Sequence, residues 1–181
     1  VEDQGELAHV VAHAVREHIS DPEYLAELAM WSGRHGSPAG VPARNTPAPE
    51  KQGKFPARVF ANPVLDQPAD VEARDDAGVV LVLATATDDA AALLQAGEAT
   101  GAVLLTATAL GLASCPLTEP LELADTREEV RAKLLDGDGF PQMLLRIGWA
   151  ALNADPLPAT PRRPLSDVVV RLDGSALQDQ R

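Results

Sequence analysis

The stretch "GVVLVLATATDDAAALLQAGEATGAVLLTATALGLASCP", residues 78–116, decides the fold. Its first part, 78–86, is a continuous β-branched and aliphatic run, which predicts a strand buried on both faces. Asp88 or Asp89 then caps a long helix, and Gly111 stops it in the left-handed conformation that glycine adopts most easily. Because this helix is apolar nearly all round, we expect it to be buried at the centre of the domain.

Upstream of this stretch, the sequence predicts two helices and then a long aperiodic segment. Residues 5–19 carry apolar side chains and His18 at helical spacing. A second helix begins at Pro22, a position that tolerates proline, and runs to about Gly33. Seven of the chain's fifteen prolines lie in residues 36–75, which show no sustained period. Such a segment is typical of a lid or partner-wrapping arm, or else of disorder.

Downstream, the sequence predicts one helix and two strands. The helix spans 125–135 and is capped by Asp125 or Thr126. The first strand spans 141–150 and the second, near the end of the chain, spans 167–172. Together these elements predict one α+β (α/β layered) domain over the whole chain, in which helices flank a central sheet.

The composition of the chain disfavours several classes of function. Asp and Glu number 27 against 15 Lys and Arg, a formal net charge of −12. This charge disfavours binding to nucleic acid or to an anionic membrane, because both need a basic surface. The single Cys115 and the acidic, non-apolar N-terminus fit a cytoplasmic protein. His9 and His13 lie four residues apart but have no obvious third ligand, so we predict no metal site.

The stretch "GLASCPLTEP", residues 111–120, is the first candidate binding segment. Pro116 and Pro120 stiffen it, so its backbone N–H groups would be held at fixed positions. Fixed N–H groups suit hydrogen bonds to the edge of a planar ligand. The alternative is an ordinary helix-to-helix connection in which Thr118 caps a short turn.

The second candidate is "PATPRRPLSDVVV", residues 158–170. Arg162 and Arg163 are adjacent in a proline-stiffened backbone, and two neighbouring guanidinium groups can clamp a phosphate dianion. Thr160 could add a hydroxyl group. The alternative is a solvated pair that offsets acidic neighbours.

Three stretches taken in order, 80–120, 141–150 and 158–170, resemble the nitroreductase-like FMN flavoproteins, and among them the Acg-type subfamily. The resemblance implies a nitroreductase-like fold with a long buried helix and FMN as the cofactor. It also implies NAD(P)H as the hydride donor and a nitroaromatic or quinone as the acceptor.

The same resemblance implies which residues bind the flavin. Arg162 and Arg163 would contact the FMN phosphate. A loop would border the isoalloxazine ring, with a backbone N–H near N5. That loop is formed by Pro116, Leu117, Thr118 and Glu119. No acid–base residue is assigned, so the catalytic residues stay unknown.

Acg-type proteins are about twice as long as this chain, with two halves that form a pseudo-dimer, and this chain resembles the second half. The resemblance therefore implies that a homodimer partner or an N-terminal half completes the flavin site. Three functions remain open: an NAD(P)H-dependent reductase, a non-catalytic FMN-sequestering protein whose lid at 36–75 excludes electron donors, and a partner-binding α/β domain without flavin.

Overall fold

The structure is a computed structural model that describes residues 4–34, 39–48, 55–56, 58–65, 78–149, 159–160 and 162–175. These residues belong to two compact units. Unit 1 comprises Val1–Pro22, Pro49–Val59 and Gln67–Ala154. Unit 2 comprises Glu23–Ala48, Phe60–Asp66 and Asp155–Arg181.

In chain order, the described helices are α1 (Gln4–Ser20), α2 (Pro22–Trp31), α3 (Ala90–Ala109) and α4 (Ala124–Leu134). The described strands are β1 (Ser32–Arg34), β2 (Val41–Pro42), β3 (Val79–Thr85), β4 (Ala113–Pro116) and β5 (Phe140–Gly148). The mixture of helices and sheets is consistent with the predicted α+β class.

The sheet of unit 1 has three strands in the order β3-β5-β4, and both neighbouring pairs are antiparallel. Strands β3 and β4 therefore run parallel to each other, and α3 connects them. The sequence predicts β3 and β5 but not β4, because a four-residue strand is too short to show a period. At the start of β4, Ala113 pairs with Gly148 of β5.

Helix α1 packs on one side of this sheet and confirms its sequence prediction. Its buried positions are the apolar residues and His18 that helical spacing selects. They form one hydrophobic core with α4 and the sheet. The core residues are Leu7, Val10, Val11, Val15, Val80, Val130 and Leu144.

Helix α3 begins and ends where the sequence predicts. The Asp89 carboxylate accepts hydrogen bonds from the backbone N–H groups of Ala91 and Ala92, both at 3.0 Å. At the other end, Gly111 has φ +72°, a backbone conformation that disfavours any side chain. Both helix ends are therefore fixed by local chemistry.

The predicted burial of α3 is wrong for this chain. Its buried residues are three alanines: Ala92, Ala96 and Ala107. Four leucines of α3 and its C-cap are exposed, with Leu105 at 73%. They are Leu93, Leu94, Leu105 and Leu110, and we call them the α3 surface. By length and composition α3 could cross a bilayer, a property that it shares with the core helices of soluble proteins.

The predicted burial of β3 on both faces is also wrong. Val80 is fully buried against α1 and α4, whereas its neighbours Val79 and Leu81 are exposed. Side chains alternate between the two faces of a strand, so one face of β3 lies in the core and the other is only partly covered. A continuous apolar run does not reveal whether its second cover lies within the chain.

Helix α4 starts without the predicted side-chain cap. Leu123 occupies the N-cap position and makes no side-chain capping bond. Thr126, one of the two predicted caps, is fully buried, and its hydroxyl donates to the Pro120 carbonyl oxygen at 2.9 Å. Thr126 therefore ties α4 to the preceding turn instead of capping the helix.

Unit 2 contains α2, the short parallel pair β1–β2 and two 3-10 turns, Ala43–Asn45 and Leu165–Asp167. Gly33 has φ +69°, and a Cβ there would lie 1.8 Å from the Ala61 carbonyl oxygen, so only glycine fits. The described parts of 36–75 thus hold a short strand and a turn, although the sequence predicts no element there. Much of that segment lies outside the described residues.

The predicted last strand at 167–172 is wrong. In the described residues 162–175, the regular element is the 3-10 turn, and the three valines 168–170 are exposed. A valine run has high strand propensity, but in the described residues only Val170 occupies a bridge position, so no strand forms there.

Candidate functional site

The loop that follows β4, residues 116–122, gathers the four predicted loop residues into one segment, which we call the β4 loop. Strand β4 lies at an edge of the sheet. The backbone N–H of Leu117 extends the pairing by donating to the Leu144 carbonyl oxygen at 2.9 Å. The chain then tightens into a 3-10 turn at Glu119–Leu121. The sheet therefore fixes where the β4 loop begins.

The backbone donors of the β4 loop divide into used and available groups. Pro116 has no N–H, and the N–H of Leu117 is taken by β5. Within the described part of the chain, the N–H groups of Thr118 and Glu119 have no hydrogen-bond acceptor. The β4 loop thus contains two adjacent backbone N–H groups without an acceptor in the described part of the chain.

The side chain of Glu119 points away from solvent into an ionic cluster. This residue is only 7% exposed. One of its carboxylate oxygens lies 3.0 Å from Nδ1 of His18, and the other accepts a hydrogen bond of 2.7 Å from Nε of Arg58. His18 is buried as well. A buried carboxylate needs such partners, so the cluster explains why Glu119 is tolerated in the interior.

Glu122 completes this cluster. Its carboxylate accepts hydrogen bonds from the guanidinium group of Arg58 and, at 2.7 Å, from the hydroxyl of Thr118. Nε2 of His18 lies 3.8 Å from the other oxygen of Glu122. We call these five residues, His18, Arg58, Thr118, Glu119 and Glu122, the ionic cluster. Partial burial would lower the pKa of Arg58, but the hydrogen bonds to Glu122 and Glu119 outweigh that effect and raise the pKa.

Sequence reasoning missed three members of the ionic cluster, namely His18, Arg58 and Glu122, the last of which lies two residues beyond the predicted stretch 111–120. His18 gave a usable signal, because it is a polar residue at a buried position of an amphipathic helix. Arg58 gave none, since it lies in an aperiodic, proline-rich stretch and its partners follow about sixty residues later in the chain.

The predicted phosphate clamp lies in unit 2, whereas the β4 loop belongs to unit 1. Arg162 and Arg163 are both exposed. The guanidinium group of Arg162 donates to the Thr160 hydroxyl at 2.7 Å and to the Thr160 carbonyl oxygen at 3.1 Å. Thr160 and Arg162 are therefore neighbours, as a shared phosphate site requires, and binding of phosphate by the pair stays a prediction.

A second polar cluster joins β5, α4 and the start of α3. Arg127 donates two hydrogen bonds of 2.7 Å to the carboxylate of Asp88. Gln142 donates to Asp88 at 2.9 Å and to the Thr85 hydroxyl at 2.8 Å. The hydrogen bonds from Arg127, and then from Gln142, lower the pKa of Asp88 to about 2. Because these groups satisfy one another, we assign them a structural role.

His13, one of the two histidines considered as metal ligands, instead contacts a glutamate. Nδ1 of His13 lies 2.7 Å from a carboxylate oxygen of Glu129. The described residues contain no group of three His, Cys, Asp or Glu side chains placed to hold a metal ion. Cys115 lies on β4 and is exposed.

Comparison with known proteins gives a family match for most of the chain. A family model described as "Nitroreductase family" matches residues 8–149, which include most of α1 and all of the three-stranded sheet, α3, α4 and the β4 loop.

Among curated proteins, the chain is 60% identical over 160 residues to "Putative NAD(P)H nitroreductase Rv3131" of Mycobacterium tuberculosis, covering 88% of this chain and 46% of that protein. It is 37% identical to "Putative NAD(P)H nitroreductase acg" of the same species, over 82% of this chain and 44% of the relative. It is 36% identical to "Uncharacterized protein Rv3127", also from that species, over 93% and 49%. The chain spans about half the length of the curated relatives that it matches.

Proposed function

We propose a function from the premise that this chain belongs to the nitroreductase family. The chain forms part of an FMN-binding, NAD(P)H-dependent reductase of nitroaromatic or quinone acceptors. The family generally uses flavin cofactors. The observation that carries the proposal is the pair of unbonded backbone donors at Thr118 and Glu119, inside the family match. The proposal includes a cytoplasmic location, which the single cysteine fits.

Two segments of the chain carry the groups that we propose hold the cofactor. FMN, when bound, supplies the capacity to take up hydride from NAD(P)H and to deliver electrons to an acceptor. The N–H groups of Thr118 and Glu119 would hydrogen-bond the edge of the isoalloxazine ring and stabilise electron density there. The exposed guanidinium groups of Arg162 and Arg163 would hold the phosphate, with Thr160 beside them.

A partner that covers the α3 surface is the third part of the proposal. Four exposed leucines on one helix and its C-cap are more than a solvated helix needs, and such surfaces mark interaction sites. At Gly97 and Gly101, a built Cβ would meet no atom within 4 Å, so another backbone has room to approach there. We propose that the occupant is the other half of a two-half protein or a second copy of this chain.

A second candidate function is flavin holding without turnover. One observation favours it: both carboxylates beside the β4 loop, Glu119 and Glu122, are already bonded to Arg58 and neighbours of His18. They are thus poorly placed to give or take a proton during turnover. NADPH and NADH oxidation in the presence of a nitroaromatic separates the two candidates, because only the reductase turns over.

The phosphate clamp is tested with two flavins that differ only in the phosphate. The double variant Arg162→Gln/Arg163→Gln should bind FMN roughly a hundredfold more weakly, because it loses charge-assisted hydrogen bonds. Its affinity for riboflavin should stay unchanged. Arg171→Gln is the matched control, since it removes an exposed arginine from the same segment. Equal loss of FMN and riboflavin binding, or equal loss in the control, contradicts the clamp.

This titration uses the chain together with the half of Rv3131 that the chain does not match, so that a two-half site can form. A preparation that binds neither flavin under these conditions contradicts the proposed function as a whole.

A further inference from the structure

We propose that Arg58 is a positioning residue that fastens the β4 loop from behind, through Glu119 and Glu122, and so sets where the loop presents its backbone donors. The inference rests on the proposed function for its flavin readout and on the geometry of unit 1 for the rest.

The geometry of Arg58 suits this role. A guanidinium group is a planar fork of donors, and Arg58 spreads its fork over two carboxylates. Nε donates to Glu119 at 2.7 Å, while Nη2 donates to Glu122. These two glutamates stand at the first residue of the 3-10 turn and directly after its last. One side chain therefore clasps both ends of the turn.

Electrostatics make the cation necessary. Two carboxylates that approach the same partners repel each other, and Glu119 is buried where water cannot screen the repulsion. His18 approaches both carboxylates as well, at 3.0 and 3.8 Å. Arg58 carries a permanent charge, whereas a histidine carries one only when protonated. Without Arg58, the β4 loop would lose the one member of the ionic cluster that is positive at every physiological pH.

Through Arg58, part of the proline-rich segment 36–75 has a structural role in unit 1. Its near neighbour Phe55 packs against the hydrophobic core of unit 1. Phe55 therefore contacts the core, and Arg58 contacts the β4 loop. In its described part within unit 1, the segment therefore acts as a brace for the loop.

The first test needs no flavin. Hydrogen exchange should be measured at the amides of Leu121 and Glu122, which donate to Thr118 and Glu119 within the turn. In Arg58→Gln these amides should exchange about tenfold faster or more, because a charge-assisted contact is lost. Arg58→Lys should restore part of the protection, since it keeps the charge but not the fork.

Arg131→Gln is the matched control. Arg131 is as exposed as Arg58, with side chains at 30% and 27%, and it also contacts a glutamate and a backbone carbonyl. It should leave the exchange of Leu121 and Glu122 unchanged. Uniform acceleration throughout unit 1, or no acceleration in the turn, overturns the proposal. Should Arg58→Gln fail to fold, Glu122→Gln removes one of the two clasped charges and must show the same local acceleration.

The second test measures the midpoint potential of bound FMN. With the complementary half present, Arg58→Gln should shift the FMN midpoint potential, while Arg131→Gln should not, because donor position tunes the reduced flavin. A loosened turn with an unchanged potential overturns the positioning role and leaves the proposed function intact. Absence of FMN binding by the unmodified protein instead contradicts the proposed function, and hydrogen exchange still decides whether Arg58 clasps the turn.

Discussion

Two helices of unit 1, α1 and α3, bury very different kinds of residue. Helix α1 buries Leu7, Val10 and Val11 against the sheet and α4. Helix α3 is the more apolar of the two in sequence, yet it buries only alanines and leaves its leucines exposed. The comparison teaches that apolar character alone does not decide burial, and we propose that a partner covers the α3 surface.

The difference also separates the residues that stabilise the chain from those that we expect to bind a partner. The core around α1 is complete, since its residues are fully or nearly fully buried by neighbours within unit 1. The α3 surface is exposed, and under the proposed function both it and the flavin site need a partner. We therefore expect variants on the α1 side to change stability and variants on the α3 surface to change association.

The largest effect on stability is expected from truncating a side chain of the hydrophobic core around α1. Leu144→Ala should lower the free energy of unfolding by roughly 2–5 kcal/mol, because it removes a fully buried side chain and leaves a cavity. Leu105→Ala, the same substitution on the α3 surface, should cost about 0.5 kcal/mol or less in the isolated chain. Urea unfolding measures the free energy of unfolding of both variants. Equal losses of stability would remove the distinction between the core around α1 and the α3 surface.

Next in size is the effect on association. The double variant Leu94→Gln/Leu105→Gln should weaken binding to a second copy or to the complementary half by about tenfold or more, because interface leucines lose their apolar cover. Thermal unfolding of the isolated chain should change little, since both residues are exposed there. Sedimentation velocity measures the association, and unaltered association would show that the partner lies elsewhere.

A glycine substitution sharpens the comparison by separating the two effects. Gly97→Ala should raise the stability of the isolated chain by about 0.5–1 kcal/mol, because alanine favours a helix and its Cβ meets no atom within 4 Å. It should at the same time weaken association, since the added methyl group stands where another backbone would approach. Increased stability with undiminished association would argue that nothing packs at this position.

The smallest expected effect concerns acid stability. The pKa of Asp88 is lowered to about 2 in the folded chain by Arg127 and then by Gln142, against an ordinary value of about 4. Its contribution is therefore complete above about pH 4 and is lost as the pH falls toward about 2. Urea unfolding between these pH values should show a shrinking difference between wild type and Asp88→Asn. A difference that is constant across the window would contradict the assignment.

Local chemistry made much of the fold predictable. The apolar spacing of α1, the Asp89 cap and the Gly111 stop are encoded within a few residues of where they act, and each is confirmed. Strand β4 was not predictable because four residues show no period. Burial of α3 was predicted wrongly because composition cannot say where a covering surface comes from.

Only the part of the candidate site that is contiguous in sequence, the β4 loop, was predictable. Proline spacing drew attention to the β4 loop, and the structure shows it as one tight segment at the sheet edge. The clasp by Arg58 was invisible, since it depends on a contact that spans about sixty residues and on burial of Glu119. No sequence pattern marks a charge that becomes buried only after the chain has folded.

The central claim is that the flavin site of this chain becomes complete only with a partner on the α3 surface. The direct measurement is an FMN titration of the 181-residue chain, followed by flavin absorbance and fluorescence, with and without the half of Rv3131 that it does not match. We predict weak or no binding by the chain alone and saturable one-to-one binding once the complementary half is added. Tight binding of FMN by the monomeric chain alone would contradict the claim.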